Sequence, residues 1–210
     1  MNPSMAEAAK IKDVAARHTY VFEHGLTDRG YYDLAARMDS LEFELLCDYV
    51  SPTDDVLEVG CLTGLNLLGL AKRGLGGTLT GIDFVEPAIS WLRNTAQEHG
   101  ITVRAICGEF CDAKLVPCDS LICFDVIEHQ LDMGRFLRRV HALLLPPDGR
   151  VVFLVPEGRH YHDCGHVAWF PDVECLRNVL EYFFHVDRLE LLPTNKFFTV
   201  CSRGDSTGRD

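Results

Sequence analysis

The sequence predicts an α/β fold: a doubly wound sheet, mostly parallel, with one antiparallel strand near the C-terminus and helices on both faces. Three observations predict it. Short apolar strands alternate with amphipathic helices along most of the chain. A glycine turn, Gly60-Cys-Leu-Thr-Gly64, joins the first strand to the helix behind it. The last two strands are separated only by Pro193-Thr-Asn-Lys196, too short for a parallel crossover, so they must pair antiparallel.

The elements follow in order. A short helix is expected around Ala6–Arg17, behind a frayed N-terminus. Tyr20–Tyr32 is aromatic-rich and broken by Gly25 and Gly30. Tyr32 to Tyr49 carries Leu34, Met38, Leu41, Leu45 and Leu46 at helical spacing and ends before Pro52. Val56, Leu57 and Val59 around Glu58 read as a buried strand, and Gly64 to Ala71 as a helix. Thr78–Asp83 is the second strand; Pro87 opens a helix that ends at His99-Gly100. Thr102–Cys107 is the third strand and Ser120–Phe124 the fourth. Met133–Leu145 is a helix, Pro146–Gly149 a turn and Arg150–Val155 the fifth strand. Helix Asp172–Tyr182 and strands His185–Leu192 and Phe197–Ser202 complete the domain. The organisation expected is a helical cap over 1–52, a ligand-binding domain over 53–203 and a disordered tail over 204–210.

Composition narrows the function. The chain has 210 residues, 47% hydrophobic and 24% charged, which is ordinary for a soluble globular domain. A formal charge of −11 argues against a nucleic-acid backbone as partner; the basic cluster Arg135, Arg138 and Arg139 reads as one helix face. Nine cysteines are scattered and odd in number, with no CxxC among Cys107, Cys111, Cys118 and Cys123, so reduced core thiols are expected rather than disulfides or a zinc-thiolate site. No apolar run reaches membrane-spanning length. These features predict a soluble, cytoplasmic protein whose partner is a small molecule.

The glycine turn also limits the ligand. Dinucleotide binding needs a second glycine for approach of the pyrophosphate, and that position is Leu62. A phosphate-free nucleoside fits better, with Asp83, about 20 residues on, placed to bind ribose hydroxyls. Here the sequence resembles a known family. Glu58-Val-Gly-Cys-Leu-Thr-Gly64 with Gly81-Ile-Asp83 is similar to the first two motifs of class I S-adenosylmethionine (SAM)-dependent methyltransferases, which have a Rossmann-like fold. Asp119-Ser-Leu-Ile-Cys-Phe-Asp-Val-Ile-Glu-His129 resembles their fourth-strand motif, in the form common among ubiquinone-type O-methyltransferases. The resemblance runs from Asp55 to Val155 and departs at Leu62, where the family usually has glycine.

The resemblance implies SAM as cofactor. Its contacts would come from Glu58, Gly60, Cys61 and Gly64 in the first motif, and from Asp83 and Phe84 after the second strand. Glu109 would accept from the adenine amino group and the Phe110 backbone would meet the ring, with Asp112 as the competing acid; Phe124 and Asp125 would follow from the fourth strand. The N-terminal segment would cap the pocket, placing Tyr31 and Tyr32 at the substrate, although the same tyrosines could simply pack a helix on the sheet.

Chemistry is expected at the ends of strands four and five. Asp125, Glu128 and His129 share a helical face if the segment after Phe124 is helical. The loop after strand five carries His160, His162, Asp163 and His166. Asp125, Glu128, His129 and His166 together could hold a divalent cation (Mg, Mn or Zn), resembling methyltransferases that grip vicinal hydroxyls through a metal. The competing reading makes His129 or His166 the proton acceptor without metal, and His160 and His162 substrate contacts. The function expected is transfer of a methyl group from SAM to a small molecule at a hydroxyl oxygen. The alternatives are methylation of the 3′-terminal ribose of RNA, or a catalytically inactive SAM-binding protein.

Overall fold

The computed structural model describes residues 16, 19, 20, 22, 29–158 and 166–204. The chain forms two compact units, Met1–Ala113 and Lys114–Asp210.

In the first unit a 3-10 turn, Arg29–Tyr32, leads into α1 (Leu34–Met38) and α2 (Leu41–Cys47). The single helix expected over Tyr32–Tyr49 is therefore divided. Asp33 accepts from Ala36 N at 2.9 Å to start α1, and Ser40, in extended conformation, accepts from Phe43 N at 3.3 Å to start α2. Asp and Ser compete for backbone donors and so cap helices better than they extend them. Behind Ser40, Phe43 and Leu46 are fully buried. The Phe43 ring lies where a Cβ on Gly69 would stand, 2.7 Å away, so glycine there permits close helix contact.

Three parallel strands follow the order β3-β2-β1. β1 (Asp55–Val59) pairs with β2 (Thr78–Asp83) from Asp55↔Thr78 to Val59↔Ile82. β3 (Arg104–Cys107) pairs with β2 from Thr80↔Arg104 to Asp83↔Cys107, starting later than the expected Thr102. α3 (Leu65–Lys72) and α4 (Glu86–Glu98) connect them, with Pro87 in the first turn of α4. Leu67, Leu68, Leu70, Ile89 and Leu92 are fully buried, and this apolar stripe is what holds the helices in place.

The second unit orders its strands β4-β5-β7-β6. β4 (Ser120–Phe124) is buried throughout and parallel to β5 (Arg150–Pro156). α5 (Met133–Leu143) and α6 (Val173–Leu180) are each capped by an aspartate, Asp132 and Asp172. β7 (Lys196–Ser202) runs antiparallel to β5, from Arg150↔Ser202 to Pro156↔Lys196, and antiparallel to β6 (His185–Leu191) as well. One strand thus opposes its neighbours, as the short connection requires. Asn195, at φ 58°, makes that turn, and Leu192 N closes it on Lys196 O at 2.8 Å. The fold is a Rossmann-like α/β sheet, mostly parallel. Among the described residues no helix is long and apolar enough to cross a membrane.

Candidate functional site

The first unit builds its site from backbone. After β1 the chain turns left-handed three times, at Gly60 (φ 68°), Leu62 (φ 45°) and Gly64 (φ 66°), before α3 begins. Gly60 N and Cys61 N both donate to Ile82 O, at 2.9 and 3.2 Å, tying the turn to the end of β2. Asp83 secures the turn further. Its Oδ2 accepts from Leu62 N and its Oδ1 from Val85 N, both at 2.9 Å. The Leu62 N–H bond holds leucine in a conformation that glycine adopts freely. Burial pushes the Asp83 carboxyl up, against the backbone N–H groups of Val85, Leu62 and Phe84 that pull it down. A carboxylate has about four acceptor positions, so these three backbone N–H groups leave room for one further donor, such as a hydroxyl.

Glu58, 3% exposed, points its carboxylate at α3, where Asn66 Nδ2 donates to Oε1 at 2.6 Å. Glu58 Oε2 has no hydrogen-bond partner. Burial pushes the Glu58 carboxyl up to about 7, opposed chiefly by Asn66 and then by Arg37. Cys61 is buried beside the turn. Beyond β3, Phe110 is buried and Glu109 exposed, while Asp112 N and Ala113 N both bond to Glu109 O. Asp112 is also exposed. Tyr32 packs its ring on Trp91, at 5.6 Å and 77° between planes. Tyr31 lies in the 3-10 turn, and its side chain is outside the described residues.

The second unit assembles side chains instead. Phe124 is buried at the end of β4, and Asp125 follows at φ 54°, held by Asp125 N to Leu154 O at 2.8 Å. The helical face expected for Asp125, Glu128 and His129 does not form. Only Ile127–His129 make a 3-10 turn, and the left-handed Asp125 stands before it. Asp125 Oδ2 instead meets Lys196 Nζ at 2.6 Å. Glu128, His129 and His166 come together, with a ligand atom from each within 4.8 Å of the others. The loop after β5 is pinned there because Val167 N and Ala168 N both donate to Glu128 O, at 2.8 and 3.1 Å. His129 and His166 meet edge to face, with ring centroids 4.8 Å apart. His129 Nε2 lies 4.0 Å from Glu128 Oε1, an electrostatic contact longer than a hydrogen bond. His160 and His162 lie outside the described residues.

Sequence reasoning missed three residues at these sites. Asn66 had a signal, as a polar side chain inside the apolar run Leu65–Ala71. Arg37 and Lys196 had none, being ordinary basic residues whose partners are distant in sequence.

A family model described as a methyltransferase domain matches residues 29–192. Nocamycin O-methyltransferase of Saccharothrix syringae is 36% identical over 50% of this chain and 40% of its own length. A ubiquinone biosynthesis O-methyltransferase of Coxiella burnetii is 31% identical over 47% of this chain and 42% of its own. The aligned stretches therefore span under half the length of these relatives. Among solved structures, magnesium protoporphyrin IX methyltransferase from Synechocystis PCC 6803 with bound SAH shares the fold at TM-score 0.69, covering 91% of this chain and 100% of that one at 18% identity. With a methyltransferase model spanning most of its length, and strands and turns laid out as its motifs require, the chain belongs to the class I SAM-dependent methyltransferase family.

Proposed function

We propose that the chain is an enzyme that transfers the methyl group of SAM to a hydroxyl oxygen of a small-molecule acceptor. The observation that carries the reading is Asp83, which holds the left-handed turn after β1 through Leu62 N and keeps acceptor capacity for a ribose hydroxyl. Glu58 Oε2, buried and without a protein donor, suits the ammonium group of the same ligand. Gly60, Cys61 and Gly64 present backbone, Phe84 and Phe110 apolar surface, and Glu109 an acceptor for the adenine amino group. The segment before residue 52 serves as cap.

SAM supplies an activated methyl on a sulfonium, so the protein must orient the acceptor oxygen and remove its proton. His129 and His166 are the groups for this; one imidazole nitrogen takes the hydroxyl proton as the oxygen attacks. Exposed Val167 and Trp169 beside His166 offer apolar surface to an organic acceptor. The names of the nocamycin and ubiquinone relatives support oxygen as the methyl acceptor.

One carboxylate and two imidazoles also fit a divalent cation. Glu128, His129 and His166 would hold it, and this donor set suits Zn²⁺ or Mn²⁺ better than Mg²⁺, which prefers oxygen. A bound cation would lower the pKa of the acceptor hydroxyl.

Calorimetry with S-adenosylhomocysteine tests the cofactor site. Asp83→Ala is expected to weaken binding at least about 10-fold, the cost of losing a hydrogen bond to a charged group. Unchanged binding would overturn the site. Turnover on catechols, phenols and alcohols, with His129→Gln and His166→Gln, tests the chemistry. Loss of about 10²–10⁴-fold in kcat is expected for the residue that accepts the proton. Elemental analysis of wild type and Glu128→Gln, after incubation with Mn²⁺ or Zn²⁺, tests the cation; wild type retaining none would remove it.

A further inference from the structure

Asn66 occupies an unusual place. It sits in the first turn of α3, among Leu65, Leu67, Leu68 and Leu70, and is 5% exposed. Its amide orientation is set by its two partners. Nδ2 donates to Glu58 Oε1 at 2.6 Å, and Oδ1 accepts from Arg37 Nε at 2.6 Å. The chain Arg37–Asn66–Glu58 therefore runs from α1, through α3, into β1. Arg37 belongs to α1, which follows directly on the turn whose Tyr32 packs against Trp91 of α4. Glu58 carries a second oxygen, Oε2, buried with no hydrogen-bond partner. A buried carboxylate oxygen left in that state costs folding free energy unless a ligand donor completes it.

We propose that Asn66 and Arg37 are positioning residues for Glu58: a relay that favours its carboxylate form and aims it at the ammonium group of SAM, and so makes cofactor affinity depend on where α1 sits. The inference rests on the SAM site proposed above, and names what tunes it. Three titratable groups and one backbone donor from the surrounding elements act on Glu58. Arg37 of α1 favours the carboxylate, as does Leu67 N–H of α3; Asp83 of β2 opposes it, and the Cys61 thiol in the glycine turn faces it as well. Burial outweighs the favourable partners and pushes the carboxyl up to about 7. Near neutral pH the free protein therefore divides between two forms. An ammonium ligand selects the carboxylate, and the Glu58 proton leaves to solvent on binding. Affinity should then fall about tenfold per pH unit below that value.

The test compares two probes on the full chain between pH 5.5 and 8. S-adenosylhomocysteine carries the ammonium; 5′-methylthioadenosine keeps the nucleoside and thioether and lacks it. Calorimetry in buffers of different ionisation enthalpy counts protons released. For wild type, S-adenosylhomocysteine binding should weaken steeply below about pH 7 with release of up to one proton, while methylthioadenosine binding stays flat. Arg37→Met should move the midpoint of the S-adenosylhomocysteine curve to higher pH by about half a unit to one unit. That is roughly a two- to fivefold loss at pH 7 and a three- to tenfold loss at pH 6 and below. Affinity at pH 8 should be close to wild type, and Arg37→Lys should restore much of the shift. Asn66→Ser should act in the same direction.

A loss equal at every pH, or equal for both probes, would mean that Arg37 only braces α1, and would overturn the relay. A wild-type curve without pH dependence would overturn it too. Failure of wild type to bind either probe would instead remove the SAM site itself. Arg37→Gln, which keeps a donor to Asn66 and loses the charge, covers the case in which Arg37→Met fails to fold; an unmoved midpoint in that variant overturns the role of the charge.

Discussion

At the end of β1 the chain turns through Gly60, Leu62 and Gly64, and at the end of β4 through Asp125, all with positive φ. The first turn is made by backbone. Its geometry is held by N–H groups, and the carboxylate that secures it, Asp83, lies in the same βα repeat. Any other residue at Gly64 would be strained at φ 66°, and its Cβ would stand 2.5 Å from Leu92 Cδ1, so that side chain would have to shift. The second turn is made by side chains from distant segments. Asp125 tolerates the left-handed region as aspartate does, and its partner is Lys196 on β7. Glu128 and His129 likewise find His166 through a loop that follows β5. A site built from backbone is written locally; one built from side chains depends on which strands become neighbours.

The comparison can be broken or sharpened by substitution. The largest effect is expected for Gly64→Ala, which combines a left-handed alanine with overpacking against Leu92, and should cost about 4 kcal/mol in chemical denaturation. A loss below about 1 kcal/mol would mean that the first turn is not backbone-limited. Next comes Glu58. Folded, it holds its proton up to about 7, while its ordinary value is 4.5. The proton thus stabilises the free protein fully below about pH 4.5, and that contribution is lost as pH rises through about 7. The stability of wild type relative to Glu58→Gln should fall by about 3 kcal/mol between pH 4 and 7.5; a flat difference would show that the carboxylate is satisfied in the free protein. The smallest effect is expected at Lys196→Met. The Lys196–Asp125 pair is 20% and 36% exposed, so its loss should cost no more than about 1 kcal/mol. Cation binding at Glu128, His129 and His166 should be unchanged. A change in that binding would return Asp125 to the ligand set.

Much of the first site was legible in the chain. The spacing of Gly60, Gly64 and Asp83 marks a strand, a turn and a second strand that ends beside the first, and short parallel units allow little else. The capping that divides Tyr32–Tyr49 at Asp39-Ser40 was legible in principle, since Ser40 precedes Phe43 at capping distance, but the unbroken apolar period concealed it. Lys196 could not be read. Nothing local distinguishes it from the other surface lysines until β7 inserts beside β5 with Pro156 opposite Lys196.

Sequence periodicity, glycine placement and the four-residue link before β7 were enough to specify the α/β class, the strand directions and the glycine turn after β1, because each depends on backbone conformation within a few residues. The folded structure was needed for the rest: that Asp125 meets Lys196, that His166 meets His129, and that Arg37 reaches Glu58 through Asn66. Those pairings arise from contacts between residues far apart in the chain, where charge and hydrogen-bonding capacity are satisfied by whichever group packing brings near.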